Sequence, residues 1–245
     1  MLQLENVSVR FGTQTALDGL WHTFEPGHIY GLVGPNGCGK STLMKTCAGL
    51  LKNFTGNVIY QGKHVDTSAR GRIAYMPTHS VYYRYMTPED MGSFYEDFFP
   101  DFSRTEYRNM INYFGLDANQ RLYNMSTGMV AKVRAAATLS RNAGLILLDE
   151  PLNGMDLLGQ EQMRQILLSL KRPDRSIIVA SHMFGQLEAV CDRVVMMNAG
   201  KVILFGDIKE MTAQYGMSVS DLYCHTFARI LQAQAQAQAM GGVRQ

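Results

Sequence analysis

Residues 34–42 read Gly-Pro-Asn-Gly-Cys-Gly-Lys-Ser-Thr, which matches the spacing G-x-x-x-x-G-K-[ST]. No other stretch so restricts what the chain can become. Gly34, Gly37 and Gly39 let the backbone turn tightly and aim successive N–H groups at one point, where they can cradle phosphate oxygens. Pro35, Asn36 and Cys38 complete the loop. A helix expected to begin near Ser41 adds the positive end of its dipole at the same point. Lys40 is placed to reach the outer phosphates of a nucleoside triphosphate, and the Ser41 hydroxyl to reach Mg²⁺. Such a loop needs a strand before it and a helix after it. Residues 28–33, His-Ile-Tyr-Gly-Leu-Val, supply the strand signal and residues 42–50 the helix signal. The expectation is a domain that binds ATP or GTP.

The rest of the chain alternates to match. Short strand signals lie at residues 2–11, 21–24, 56–60 and 72–76, the last ending at Pro77. From Val81 to Ala143 the character changes. Tyr, Phe and Met accumulate, and helical spacing at Pro88–Phe98 and Ser103–Phe114 breaks at Gly115. This predicts a helical insert, about 79–143, between two halves of a strand-rich core. The core resumes with Gly144-Leu-Ile-Leu-Leu-Asp149, an apolar run that suits a strand buried on both faces. Strands at Ser176–Ser181 and Arg193–Asn198 follow, the second turning through Ala199-Gly200 into Lys201–Phe205. Helical periods separate them at Leu157–Lys171 and Met183–Val190. Such alternation predicts a parallel sheet with helices on its faces. Beyond residue 215, Ser218-Val-Ser-Asp221 reads as a helix start with a capping acid. The Gln-Ala alternation at Gln232–Ala239 forms helix readily but buries almost nothing, so a solvated, fraying end is expected.

Composition excludes several classes. A net charge of +2 is too small to argue for nucleic acid as a partner. No window approaches the ~18 consecutive apolar residues of a membrane-spanning helix. Residues Met1–Val7 read as a strand rather than a signal peptide. Cys38, Cys47, Cys191 and Cys224 are scattered without a C-x-x-C pair, which indicates neither a disulfide framework nor a zinc site. A cytoplasmic chain that does not itself insert into a membrane is expected.

Directly after the apolar strand stand Asp149 and Glu150. At the end of a central strand beside a phosphate loop, Asp149 can hold Mg²⁺ through its water shell. Glu150 points the other way and can take a proton from an attacking water. With these residues in place, the chain resembles the ATP-binding subunits of ABC transporters over nearly all of residues 1–210. Leu147–Pro151 looks like that family's Walker B strand end with its catalytic glutamate, and Asn153–Asp156 like its D-loop. His182 stands where the family has a switch histidine, and Phe11 where an aromatic ring stacks on adenine. Met125-Ser126-Thr127-Gly128-Met129 resembles the signature Leu-Ser-Gly-Gly-Gln, keeping Ser126 and Gly128, with a helix expected over Val130–Arg141. The resemblance implies an α/β fold over residues 1–215: a P-loop NTPase (RecA-like) core with a mainly parallel sheet, an N-terminal antiparallel β-subdomain and a helical insert. A C-terminal helical tail would occupy 216–245.

The resemblance also implies a way of working. Two such subunits, identical or different, would pair head to tail around two ATP molecules. Phe11 would hold adenine, and Lys40, Ser41 and Thr42 the phosphates and metal. Ser126 and Gly128 of the facing subunit would close over the γ-phosphate, with Glu150 polarising water and His182 touching the γ-phosphate. Thr78, followed by His79, replaces a glutamine that usually follows the Tyr-x-Pro strand end; its hydroxyl is a shorter route to Mg²⁺. A separate transmembrane ABC transporter subunit would read the motion at the aromatic surface around Val81–Tyr85 and Phe94–Phe102, from the inner face of the cell membrane. The departures at 78 and 127, with the aromatic run at 95–102, resemble the bacterial subfamily serving ABC-2 type exporters, bacitracin-resistance and lantibiotic-immunity ATPases among them. A soluble ATPase without a transporter is disfavoured by the lone cassette without coiled-coil insertions. A degenerate regulatory cassette, suggested by Thr78 and Thr127, is opposed by Glu150 and His182. Cys38, near a helix N-terminus and Lys40, is expected to have a lowered thiol pKa and to react with alkylating agents unless ATP protects it.

Overall fold

Side-chain alternation along the strands divides the interior of this protein in two. The structure, a computed structural model, describes residues 1–66, 68–78, 82–182, 185 and 187–241. In the first sheet, β1 (Leu2–Phe11) and β2 (Gln14–Phe24) form a hairpin in which Phe11 faces Gln14. On its other edge β1 pairs antiparallel with β4 (Thr55–Tyr60), which in turn pairs with the two-residue β5 (Lys63–His64). The second sheet has the order β10-β9-β3-β8-β7-β6. In it β3 (Ile29–Val33), β6 (Ile73–Met76), β7 (Leu145–Asp149), β8 (Ser176–Ser181) and β9 (Arg193–Asn198) run parallel. Antiparallel β10 (Lys201–Asp207) closes one edge.

Every residue of β3, β7 and β8 is buried, as strands covered on both faces require. Successive side chains point to opposite faces. Ile29, Val33, Ile146, Leu148, Ile177 and Val179 therefore enter one core, formed with the helical insert. Tyr30, Leu32, Leu145, Leu147, Ile178 and Ala180 enter the other, formed with the first sheet and helix α1 (Lys40–Cys47). Each fully buried aliphatic side chain contributes about 1.5–3 kcal/mol.

The insert contains α2 (Pro88–Phe98), α3 (Arg104–Tyr113) and α4 (Thr127–Leu139). Thr87 and Asp90 form a capping box at the start of α2, with Pro88 at the position where proline costs no hydrogen bond. One buried side chain clamps the insert to the core. The Arg141 guanidinium donates to Asp101 at 3.0 Å, to the Ile73 carbonyl at 2.9 Å and to the Gly71 carbonyl at 2.8 Å. It also lies 3.9 Å from the ring centre of Phe99. Beyond β7 come α5 (Leu157–Ser169), α6 (Ile208–Tyr215) and α7 (Val219–Gly241).

Several boundaries differ from the sequence reading. Only residues 21–24 of β2 signal a strand locally; Gln14–Leu20 is held extended by pairing with β1. Helix α6 and β5 were not anticipated. Helix α1 stops at Cys47, where Gly49 at φ +69° reverses the chain, rather than at Leu50. Helix α4 begins at Thr127 rather than Val130 because Ser126 caps it, accepting from the Met129 N–H at 3.2 Å. His79, Val81 and residues 183, 184 and 186 of the expected helix lie outside the described residues, and 187–190 form turns. Among the described residues no helix is long and apolar enough to cross a membrane.

Candidate functional site

The phosphate loop joins β3 to α1 and is gripped from both sides. A Cβ on Gly34 would stand 2.4 Å from the Met197 carbonyl of β9. Gly39, at φ +110°, would place one 2.5 Å from the Ala16 carbonyl of β2. The Gly200 N–H of the β9–β10 turn donates to the Cys38 carbonyl at 2.9 Å. Those close approaches are why glycine occupies both positions. Lys40 is 7% exposed and folds back on the loop, donating to the Gly34 carbonyl at 2.6 Å and the Pro35 carbonyl at 3.2 Å.

This loop forms one wall of a cavity of about 890 Å³, within the range of small-molecule sites. Asn36, Gly37, Gly39, Lys40, Ser41 and Thr42 face it from the loop and the first turn of α1. Phe11 also lines it and is 55% exposed. Thr78, Asp149 and Glu150 face it from the ends of β6 and β7.

The two acids have opposite environments. Asp149 is 1% exposed and both of its carboxylate oxygens are buried without a hydrogen-bond partner. Buried carboxylate oxygens are normally paired, so this pair is open to a cation. Among the described residues no cluster of three or more His, Cys, Asp or Glu could hold a metal ion. The arrangement fits Mg²⁺, which takes one or two carboxylates and fills its shell with waters and phosphate oxygens. Glu150, by contrast, is fully engaged. Its backbone is left-handed, φ +52°, a conformation costing a non-glycine residue about 1–3 kcal/mol. The turn swings its carboxylate onto the end of β8. One oxygen accepts the His182 N–H at 3.0 Å; the other lies 2.8 Å from His182 Nδ1 and accepts the Ser181 hydroxyl at 3.3 Å.

Ser126 and Gly128 do not line this cavity. A Cβ on Gly128 would lie 2.2 Å from the Gly154 carbonyl, so the signature segment is pressed against Gly154 and Met155 of its own chain. Asp156 reinforces that contact, capping α5 through the Gly159 N–H at 3.1 Å and pairing with Lys132 at 3.0 Å. Cys38 requires a correction. It is 4% exposed, and burial pushes its thiol above the usual range despite the neighbouring Lys40. Desolvation of a thiolate outweighs the attraction of Lys40, whose Nζ lies 4.0 Å from the Cys38 sulfur.

Sequence reasoning missed Tyr75, which lines the cavity, and Arg134, whose guanidinium donates to the Thr78 carbonyl at 3.1 Å. A lone arginine in the alanine-rich middle of α4 was the available signal. The aromatic run divides between core and surface. Tyr95 is 6% exposed, whereas Phe94, Phe98, Tyr83 and Tyr85 stand out in solvent.

The ABC transporter family model matches residues 17–153, more than half of the chain. The chain belongs to the ABC transporter family. An uncharacterized ABC transporter ATP-binding protein of Synechocystis sp. is 30% identical over 76% of this chain and 55% of its own length. A similar protein of Nostoc sp. is covered over 61% of its length, so this ABC chain spans less than two thirds of both cyanobacterial relatives. The lantibiotic transport ATP-binding protein SrtF of Streptococcus pyogenes is 29% identical over 83% of this chain and 90% of its own. A solved ATP-binding subunit of an ABC transporter superposes with a TM-score of 0.81 at 25% identity, over 92% of this chain and 98% of that one. A dimeric ATP-binding cassette bound to ADP and phosphate after hydrolysis shares the fold, with a TM-score of 0.75 at 21% identity over 84% of this chain and 98% of that one. The fold is that of a P-loop NTPase of the ABC cassette type.

Proposed function

We propose that this chain is the ATP-hydrolysing subunit of an ABC transporter, closing as a dimer around two ATP molecules and driving a separate transmembrane subunit. One observation carries the reading: the phosphate loop shares a cavity with Asp149, whose carboxylate is open, and with Glu150, which is bonded to His182.

On ATP binding, Lys40 exchanges the Gly34 and Pro35 carbonyls for phosphate oxygens, and Phe11 stacks on adenine. Ser41, Thr42 and Asp149 would hold Mg²⁺, with the Thr78 hydroxyl at its outer shell; the ion, when bound, neutralises charge on the transferred phosphoryl group. Glu150, released from His182, accepts a proton from the water that attacks the γ-phosphorus as the β–γ bridging bond breaks. His182 then donates to the γ-phosphate. Ser126 and Gly128, which stand away from their own phosphate loop, close over the γ-phosphate of the facing subunit. The transmembrane partner docks on the exposed aromatics, where Tyr83 and Tyr85 stack at 5.3 Å and Phe94 and Phe98 lie 4.6 Å apart. That docking holds the chain at the inner face of the membrane. Export is favoured by the relatives named for lantibiotic transport and, in Bacillus subtilis, for linearmycin resistance.

The test is Glu150→Gln with wild type beside it, by size-exclusion chromatography with and without Mg·ATP and by ATP turnover. Turnover falls on the order of 10²–10⁴-fold in the variant, which elutes as a dimer only with Mg·ATP. A wild type that neither dimerises nor hydrolyses would instead mark a degenerate cassette.

A further inference from the structure

Arg134 sits in the middle of α4 and is 7% exposed. A guanidinium has five N–H donors, and buried ones are normally satisfied. Here Nη1 donates to the Thr78 carbonyl at 3.1 Å, while Nε and Nη2 are buried without a partner. The Asp149 carboxylate on β7 is in the same condition, and so is the Tyr75 hydroxyl on neighbouring β6. Strands β6 and β7 run parallel with Tyr75 beside Leu147 and Met76 beside Leu148, so Asp149 ends β7 next to the strand end at which Thr78 holds Arg134. Asp149 opposes loss of the Arg134 charge, which burial disfavours, and Asp149 and Arg134 push the Tyr75 phenol in opposite directions. Yet Arg134 and Asp149 form no ion pair. Two opposite buried charges thus stand at neighbouring strand ends, and neither occupies the other's hydrogen-bonding atoms.

A carboxylate taken from water without compensation is strongly disfavoured. Capping it with a bidentate arginine would relieve that cost but fill the oxygens a metal needs. A cation held at a short remove does neither harm. We propose that Arg134 is the resident counter-charge of Asp149: it stabilises the carboxylate in the nucleotide-free protein while leaving both oxygens open, and its bond to Thr78 fixes that separation. The inference rests on the reading of Asp149 as the metal-holding acid. Arg134 is a positioning residue, touching neither nucleotide nor metal. Because its charge repels an incoming cation, its removal strengthens the attraction of Asp149 for Mg²⁺.

A double-mutant cycle tests this on protein free of nucleotide and metal. Arg134→Met, Asp149→Asn and the pair are unfolded in urea with EDTA present. Each single variant lowers the midpoint, and the pair loses clearly less than the two losses combined. Additive losses would overturn the proposal. In a second arm, the Mg²⁺ concentration giving half-maximal protection by ATP against heat falls on the order of fivefold or more in Arg134→Met and stays at the wild-type value in Arg134→Lys. An unchanged or raised requirement in Arg134→Met would also refute it. Should Arg134→Met fail to fold, Arg134→Gln runs the same cycle. The first arm needs no nucleotide, so a wild type unprotected by Mg·ATP would sink the functional reading while the cycle still judges the charge pairing.

Discussion

Gly128→Ala probes the contact that joins the signature segment to the loop after Asp149. The added Cβ would meet the Gly154 carbonyl oxygen at 2.2 Å, its carbon at 3.1 Å and the Met155 Cα at 3.3 Å, where ordinary contact begins at 3.4 Å. The two backbones must separate by about 1.2 Å, and no flexible side chain can yield in their place. Both sides are tethered. Ser126 fixes the start of α4, and Lys132 holds Asp156 at 3.0 Å. Overpacking of this kind costs about 1–3 kcal/mol, which lowers Tm by roughly 2–12 °C in a domain of this size. The displacement also reaches Glu150, whose carbonyl accepts from the Asn153 N–H at 3.2 Å. A shift near 1 Å in such a group lowers turnover by on the order of 10–100-fold. The subunit's own phosphate loop is untouched, so nucleotide affinity of the open, undimerised subunit holds. Calorimetry, ATP turnover and titration with a fluorescent ATP analogue read these three quantities. Wild-type Tm and turnover in Gly128→Ala would show that the close approach to Gly154 does not constrain the protein.

Arg141→Met removes the clamp between insert and core and strands the Asp101 carboxylate and two carbonyls; a loss of about 3–5 kcal/mol is expected in urea unfolding, and a loss below 1 kcal/mol would contradict the clamp. Burial holds His22 at about 4, below its ordinary 6.5, so the fold favours the neutral ring. The unfolded chain takes the proton first; stability is complete above pH 6.5 and declines as pH falls toward 4, by about 2–3 kcal/mol at most. His22→Gln should flatten that decline in thermal scans between pH 7 and 4, and an unaltered slope would contradict the assignment. N-ethylmaleimide on the folded protein should modify exposed Cys224 and spare buried Cys38, with no protection by ATP; peptide mass spectrometry showing Cys38 labelled as fast as Cys224 would overturn this.

The local features of this fold were legible because local residues encode them. Turn glycines, capping residues and apolar period marked β3, β7, β8, α2 and α3 nearly to the residue. The phosphate loop was legible because its whole chemistry lies within nine consecutive positions. The first half of β2 and β5 were not, since partner strands hold them extended.

By itself the sequence determined the strand–loop–helix that faces phosphate, the acids at the end of β7 and the family to which they belong. Tertiary structure alone decided the rest. It turned Glu150 left-handed onto His182, 32 positions away, and buried the Cys38 thiol against Gly34. It tied Arg134 to the strand end beside Asp149 and pressed Gly128 onto Gly154. Each of these depends on distance and desolvation between segments far apart in the chain. Residue type states what a side chain can do; only packing states how much water it keeps and which charge it meets.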